Sequence, residues 1–524
     1  MVAASIEMPI SEGSSAMRRV AIGMLFAVLL FRAVEFAATG FAAIHYPWGP
    51  EYGEGIVWQQ MRWIFTEKAY GPIDQFPAIV FHYTPLYHAV ASQISSTLGT
   101  DELATGRAIS LVSTLVAALA SGAIAAMLVA GRRRKQDRWL AGCAASLLVL
   151  TFVPVMAPPL MRVDMLAIAL SLLGLIAALK SIERPGLMLV ASLLFVAAVY
   201  TKQTAIAAPI AAFAVLLATR PKLAIQGIAT CTALGVAALI VLNWLTDGGF
   251  YQHVLLYNVN RVEPSRLVWI IYAAATHAIY VALTVWMVAR RVGDLRTRYR
   301  TFGALRTAAC GDIRLLIALA YLAVTTVMLL TVVKSGSSIN YFIEWCFATA
   351  IFCAIGLQEQ PPATVGSIKA RSVIAVSIPL GLLLQATITS GEAFDMDING
   401  RRARELTVLS RQVAAADKPV ISDDMVLLIR SGREVLWEPA IFAELASTGA
   451  WDERQFVDRI RNGEFAFFVT AGRRGDEHFD ERYNPAVADA IDAAYPVKQE
   501  IAGLTVHRPL NRGRADRASE AAAH

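Results

Sequence analysis

Long runs of apolar residues limit the folds open to this chain. Apolar residues make up 56% of its 524 residues and charged residues only 17%, and the mean hydropathy is +0.51. A helix needs about 20 apolar residues to cross the hydrocarbon core of a bilayer. We therefore expect a polytopic α-helical membrane protein with about 11 transmembrane helices, near residues 19–43, 107–130, 139–156, 164–180, 186–200, 204–219, 223–245, 267–289, 314–333, 341–357 and 372–389.

The remaining short features of the membrane part add little chemistry of their own. Residues 1–18 lack a compact signal-peptide pattern, so the first span is expected to be an uncleaved anchor behind a cytoplasmic tail. The apolar stretch 85–98 is too short to cross comfortably and is expected to lie at the interface or to enter the bundle from the side. The five cysteines have no metal-ligand spacing. Most of them fall in or beside apolar segments, as packing residues do.

Basic residues predict the orientation of the spans. Twenty lysines and arginines fall in one set of loops, including the run RRRKQDR at 132–138, and seven fall in the opposite set. Short cytoplasmic loops are rich in these residues, so the N-terminus is predicted to be cytoplasmic. An odd number of spans then places everything after residue 390 on the outer, periplasmic face. The net charge of +6 sits in short loops and does not indicate nucleic-acid binding.

The first outer loop, residues 45–88, is the most unusual loop of the chain. It holds Glu51 and Glu54 among three glycines, then VWQQMRWIF, which predicts a short interfacial helix with Trp58 and Trp63 at headgroup depth. It ends in the aromatic run FHYTPLYH. A carboxylate beside glycines at a membrane face suits a catalytic base. The alternative is a solvated loop whose carboxylates cap a helix.

The other outer loops are chemically dense, whereas the cytoplasmic loops look like topology signals. The segments of the outer loops are PPLMRVD at 158–164, YTKQT at 200–204, the stretch 250–264, and KSGSSINYFIEW at 334–345. Each places an ionisable or amide group at the outer end of a helix, where such groups face a cavity or a partner. In a single loop of this kind, the ionisable group could simply form an ion pair, or it could be a helix-end residue that snorkels to the interface. Several on the same face predict a shared outer cavity.

The composition changes after residue 390. The pattern predicts strands in KPVISDD and EFAFFVTAG and a final strand in VKQEIAGLTVHRP. It predicts helices or turn-helices in REVLWEPAIFAELASTG and DERQFVDRIRNG. We expect a periplasmic α/β domain over 390–510 and a disordered tail over 511–524. The chain shows no internal repeat or inverted symmetry, which counts against a secondary transporter.

Transfer of a sugar from a lipid-linked donor needs few protein groups, and the outer loops offer all of them. A carboxylate acts as general base towards the acceptor hydroxyl, cations neutralise the departing phosphate, and polar groups orient the sugar. Glu54 is the preferred base and Glu51 the second candidate. The candidate phosphate-binding cations are Lys202, Arg162, Arg261 and Lys334. The candidate substrate-binding residues are His82, Tyr83, Asp164, Asn340, Tyr341 and Glu344. Asp164 could instead pair with Arg162, which would make PPLMRVD structural.

These segments resemble the GT-C glycosyltransferase superfamily. The resemblance covers residues 19–389 and rests on EYGEG, YTPLYH, GRAISLVSTL, MRVDMLAIALSLLGL, YTKQTAIAAP and GSSINYFIEW. It is closest in style to bacterial polyprenyl-phosphate-sugar transferases related to protein O-mannosyltransferases and to the lipid A aminoarabinose transferase. The resemblance implies that the base is the carboxylate of the first outer loop, which maps onto Glu54 or Glu51. Many members have adjacent Asp-Glu there, whereas this chain has Glu-Tyr-Gly-Glu.

The resemblance implies an inverting glycosyltransferase of the inner membrane with a polyprenyl-phosphate sugar as donor. The acceptor would be a lipid, glycan or protein of the cell envelope. A metal is not demanded, because lysine and arginine can hold one phosphate. Two other classes stay open at this point. A lipid-linked glycan flippase or transporter should place ionisable groups near mid-span, and a scaffolding membrane protein should tolerate changes at Glu54 and Lys202.

Overall fold

A computed structural model describes residues 12–129, 135–157, 159–258, 260–359, 368–389 and 400–510. The predicted tail 511–524, the start of the C-terminal domain near 390 and most of the N-terminal tail lie outside these residues. The basic run at 132–134 also lies outside them.

The membrane part is a bundle of helices joined by short loops. Its helices are α1 (Glu12–His45), α2 (Gly53–Trp63), α3 (Leu86–Leu98), α4 (Glu102–Val129), α5 (Lys135–Leu148), α6 (Val153–Met156), α7 (Asp164–Ser181), α8 (Leu187–Val199), α9 (Ala207–Thr219), α10 (Pro221–Leu245), α11 (Gly249–Tyr251), α12 (Val268–Thr276), α13 (Ala278–Arg298), α14 (Phe302–Arg306), α15 (Cys310–Met328), α16 (Ile343–Gly356) and α17 (Ile368–Ile388).

Every predicted span coincides with a helix or a helix pair, but the number eleven is not confirmed. Among the described residues, seven helices are long and apolar enough to cross a membrane, or eight if the bent pair Pro264–Thr276 and Ala278–Arg298 is one span. Helices α8 and α9 have only 13 residues each. At 1.5 Å per residue, such a helix reaches about 20 Å, which is shorter than the hydrocarbon core.

The spans differ in how deeply they are packed. In the most apolar window, 78% of the residues are buried for the span Ile339–Gly356 and 72% for Asp164–Ser181, against 6% for Pro221–Leu245. The first two segments therefore form the centre of the bundle, and α10 lies at its rim with apolar side chains facing outwards. A polar group on a central span faces protein or a cavity rather than lipid.

The C-terminal region folds as the expected small α/β domain. Its elements are α18 (Arg401–Ala414), β1 (Val420–Ser422), α19 (Met425–Arg430), α20 (Pro439–Ser447), α21 (Arg454–Arg461), β2 (Phe467–Thr470), α22 (Glu477–Arg482), α23 (Pro485–Ala494), β3 (Val497–Ile501) and β4 (Leu504–Arg508). The sheet order is β1-β2-β4-β3, with β1 and β2 parallel and the other pairs antiparallel.

The sequence missed one turn in this domain. The segment VKQEIAGLTVHRP was expected to be a single strand, but it forms a hairpin in which Ile501 pairs with Leu504. The turn residues Ala502 and Gly503 both have positive φ, of 56° and 75°. A two-residue turn with both φ values positive matches the right-handed twist of the strands that it joins.

The first outer loop packs under the C-terminal domain instead of lying along a membrane surface. The predicted helix exists as α2, but Trp58 is 3% exposed and Trp63 is 6% exposed, so the expected headgroup position is wrong. One hydrophobic core joins residues of the loop, such as Ile56 and Val57, to α19 and β1 of the domain. We call the end of the bundle that holds residues 45–88 and 400–510 the domain end.

Candidate active site

Glu54 lies in a fully buried ion pair at the start of α2. Its two carboxylate oxygens accept hydrogen bonds from Arg107 Nε at 2.8 Å and Nη2 at 2.6 Å. The backbone N–H of Met161 donates a third bond to Oε1, at 2.7 Å. The side chain of Glu54 is 0% exposed. Since Arg107 and the Met161 N–H engage both oxygens, this geometry argues against the preference for Glu54 as the base.

Glu51 lies beside a cation and is partly exposed. Its Oε1 lies 3.2 Å from Arg162 Nη2, and its side chain is 32% exposed. The other oxygen, Oε2, is buried and has no hydrogen-bond partner. Arg162 lies across Gly53: a Cβ built on that glycine would stand 1.6 Å from Nη1. The Glu51 carboxylate therefore has one oxygen unpaired and a cation held beside it.

The neighbouring loops bring a second cation and a second carboxylate together. Lys202 Nζ donates to Asp164 Oδ1 at 2.5 Å, and Asn340 Nδ2 donates to the same oxygen at 3.1 Å. Burial acts to lower the pKa of Lys202, but the Asp164 carboxylate outweighs it and raises the pKa to about 12. The ammonium is thus charged at neutral pH. The expected alternative, a pair between Asp164 and Arg162, is replaced by the pair with Lys202.

Five predicted site residues line one open pocket at the domain end of the bundle, beside the ends of α7, α15 and α16. These residues are Asp164, Lys202, Asn340, Tyr341 and Glu344. Lys202 Nζ lies 5.5 Å from the centre of the Tyr341 ring, and Tyr321 donates a 3.2 Å hydrogen bond to Glu344. The pocket combines a cation, two carboxylates, an amide and aromatic rings, which is a set suited to a phosphate and a sugar.

His82 and Tyr83 border the same region from the first loop. Gln203, next to Lys202, donates a 2.8 Å bond to the carbonyl of His82, and the rings of His82 and Tyr83 lie 4.2 Å apart. Burial and then the charge of Arg162 lower the pKa of His82 to about 4. His82 is therefore neutral at pH 7. It can serve as a hydrogen-bonding group but not as a cation for phosphate.

Two predicted phosphate-binding cations lie apart from these groups. Arg261 pairs with Glu444 on α20 of the C-terminal domain, with Nε 3.2 Å from Oε2. Lys334 forms an isolated backbone bridge with Val262. Neither cation is among the residues that line the pocket. Within the described chain, no three His, Cys, Asp or Glu side chains converge as a metal site would require.

Some residues that build this region were not singled out from the sequence. Arg107 lies at the start of a predicted span. An arginine inside such an apolar helix requires a buried partner, and this is the signal that could have found it. No sequence pattern marked Tyr52 or Glu438 as site residues. They come close because the C-terminal domain docks on the first loop, where Ala440 N–H donates a 3.0 Å hydrogen bond to Tyr52 OH.

Comparisons with known proteins identify the fold. No protein-family model and no curated protein matches the chain. The crystal structure of ArnT from Cupriavidus metallidurans bound to undecaprenyl phosphate is similar over 94% of this chain and 98% of its own, with 15% identity and a TM-score of 0.56. The apo state of ArnT matches over 93% and 98%, with 13% identity and a TM-score of 0.57. The predicted architecture, a helical membrane bundle with a C-terminal α/β domain, is thereby confirmed, and the chain shares the fold of ArnT.

Proposed function

We propose that this protein is an inverting glycosyltransferase that moves a sugar from a polyprenyl-phosphate donor to a cell-envelope acceptor. The observation that carries the proposal is the arrangement of Lys202, Asp164 and Asn340 in a pocket beside the Glu51–Arg162 pair. This arrangement lies on a fold shared with ArnT, which was crystallised with undecaprenyl phosphate. The chemistry of these groups and the shared fold therefore support the same function.

The donor phosphate is expected to bind between Lys202 and Arg162. Both are cations whose present partners, Asp164 and Glu51, leave further N–H groups available. Asn340, Tyr341 and Glu344 would orient the sugar in the pocket. As the bond between the sugar and the phosphate breaks, negative charge grows on the phosphate, and fixed cations stabilise that charge most in the transition state.

Glu51 is the proposed general base, in place of Glu54. Its carboxylate takes the proton of the acceptor hydroxyl while the hydroxyl oxygen bonds to the anomeric carbon. The bond from that carbon to the phosphate oxygen breaks on the opposite face, so the configuration inverts and polyprenyl phosphate leaves. The buried, unpaired Oε2 of Glu51 is the observation that supports this assignment.

We further propose that the site lies at the periplasmic face of a bacterial inner membrane. The support is the excess of basic residues in the loops of the opposite end. A lipid-linked glycan transporter is less well supported, because the ionisable residues of the pocket lie at one end of the spans rather than at their middle.

The test replaces each glutamate of the first loop in turn. Glu51→Gln should lower sugar transfer by roughly a hundred- to ten-thousand-fold, since the amide cannot accept the proton. Glu54→Gln should instead lower the free energy of unfolding by about 3–5 kcal/mol, because it leaves Arg107 buried without its counter-ion. Transfer is measured with the purified chain and membranes from cells that lack it, and stability by thermal unfolding in detergent.

Glu67→Gln is the matched control, because Glu67 is an exposed carboxylate of the same loop. It should change neither quantity. Normal turnover in Glu51→Gln would show that this loop holds no base at Glu51. If Glu54→Gln is stable and inactive, the base is Glu54 after all.

A further inference from the structure

Glu438 is held in a fixed place by contacts between the C-terminal domain and the first loop. It precedes α20, whose first turn contains Pro439. Just before it, the carbonyl of Leu436 accepts a 2.8 Å hydrogen bond from the N–H of Ala78. Trp437 forms a backbone bridge with the same alanine. The domain therefore presents Glu438 towards the membrane part rather than towards solvent.

The carboxyl of Glu438 is buried and unpaired. The residue is only 4% exposed, and Oε2 has no hydrogen-bond partner. Among the described residues, Glu438 makes no ion pair. Burying a polar group without a partner costs free energy, and such a group in a native structure commonly has a functional reason.

One contact connects Glu438 with the proposed catalytic base. Tyr52, which follows Glu51 in the chain, accepts a hydrogen bond from Ala440 N–H two residues after Glu438, at 3.0 Å. Arg162, the ion-pair partner of Glu51, is also the cation that opposes the rise in the pKa of Glu438. One carboxyl group from the loop and one from the domain thus share a charged neighbour.

We propose that Glu438 binds a hydroxyl group of the acceptor while Glu51 deprotonates a neighbouring hydroxyl. The inference rests on the proposed function and narrows its acceptor. A ligand that meets both carboxyl groups must have at least two hydroxyls close together. This is the chemistry of a carbohydrate, in a glycan or a glycolipid headgroup, and not of a serine or threonine side chain.

The protonation of Glu438 should give sugar transfer a distinctive pH dependence. Burial raises the pKa of Glu438 to about 8, and the charge of Arg162 opposes this rise. The other group that faces Glu438 is Tyr52, whose own pKa is raised by burial, with Arg482 and Asp423 beyond it. Below pH 8 the neutral carboxyl donates a hydrogen bond to the acceptor. As the pH rises through about 8, the group becomes a carboxylate, which can only accept a hydrogen bond, so the donated bond is lost.

The experiment separates acceptor binding from donor binding. Transfer is measured with the purified full chain at increasing amounts of membranes from cells that lack it, and donor binding with undecaprenyl phosphate alone. Glu438→Ala should raise the half-saturating amount of acceptor membranes by about tenfold, the value of one good hydrogen bond. Its affinity for undecaprenyl phosphate should stay within about twofold.

Glu438→Gln keeps the shape of the side chain and a hydrogen-bond donor, so it should fold even if Glu438→Ala does not. It should retain most of the transfer activity and lose the fall above about pH 8 that the unmodified chain shows. Glu434→Gln, an exposed carboxylate near Glu438, is the control and should behave as the unmodified chain.

Three results would overturn the inference: unchanged acceptor saturation in Glu438→Ala, an unchanged pH profile in Glu438→Gln, or a product in which the sugar is attached to protein. Absence of any transfer by the unmodified chain would instead refute the proposed function.

Discussion

Gly53 determines where the guanidinium of Arg162 can lie. A Cβ at this position would stand 1.6 Å from Nη1 and 2.7 Å from Cζ of Arg162, so the two cannot coexist. The arginine end is flexible and would move away from Glu51. Gly53→Ala should therefore lower transfer on the order of a hundredfold, as a misplaced catalytic group does. It should leave the unfolding temperature unchanged or slightly higher, because alanine favours helix α2.

Transfer and thermal unfolding of the same preparation test this expectation. Gly311→Ala is the matched control, because Gly311 lies in the first turn of α15 and has no heavy atom within 4 Å of its built Cβ. Full activity in Gly53→Ala would mean that the position of Arg162 does not matter for the reaction.

The choice between Glu51 and Glu54 shows what the sequence could and could not predict at this scale. Residue chemistry predicted a catalytic base among the carboxylates of the first loop. Of the two glutamates, Glu54 was preferred because Gly53 and Gly55 flank it. What separates them is the contact with Arg107, which is 53 positions away in the chain. A contact that remote leaves no local pattern in the sequence.

At the scale of elements, α2 is fixed by its close approach to α19. A Cβ on Gly55 would stand 2.6 Å from the backbone nitrogen of Val426 and 2.5 Å from Cβ of Met425. A backbone cannot swing aside as an arginine can, so the two helices would have to separate. Gly55→Ala should destabilise the protein by about 1–3 kcal/mol, the usual cost of overpacking a core.

Thermal unfolding and the rate of cleavage by an added protease measure this effect. We expect faster cleavage and a lower unfolding temperature than in Gly53→Ala, although the two substitutions are chemically identical and two residues apart. Equal stability of the two variants would contradict the close packing of α2 against the domain.

The predicted elements were most accurate where local pattern alone decides the structure. Apolar runs located the helices of the bundle, and short runs rich in β-branched and aromatic residues located β1 and β2. The interfacial position of α2 was wrong because amphipathic helices at a membrane surface and under a protein domain have similar sequences. Burial of Trp58 and Trp63 depends on residues beyond 400, which no local window includes.

At the scale of the molecule, the orientation of the bundle is open to a direct test. The domain end is expected to be periplasmic because basic residues concentrate in the loops of the other end. A reporter that is active only in the cytoplasm should be silent when fused after Leu510. The same reporter inserted after Arg300 should be active. An active reporter after Leu510 would reverse the orientation and move the proposed reaction to the cytoplasm.

The core shared between the first loop and the C-terminal domain also affects how this architecture can be recombined. Residues 400–510 bury part of their apolar surface against residues near 56 and 57, so neither segment is a complete folding unit. Exchanging the domain between related chains would leave mismatched surfaces unless residues 45–103 were exchanged with it. Any lineage that acquired new acceptor chemistry through this domain would therefore have inherited both distant segments together.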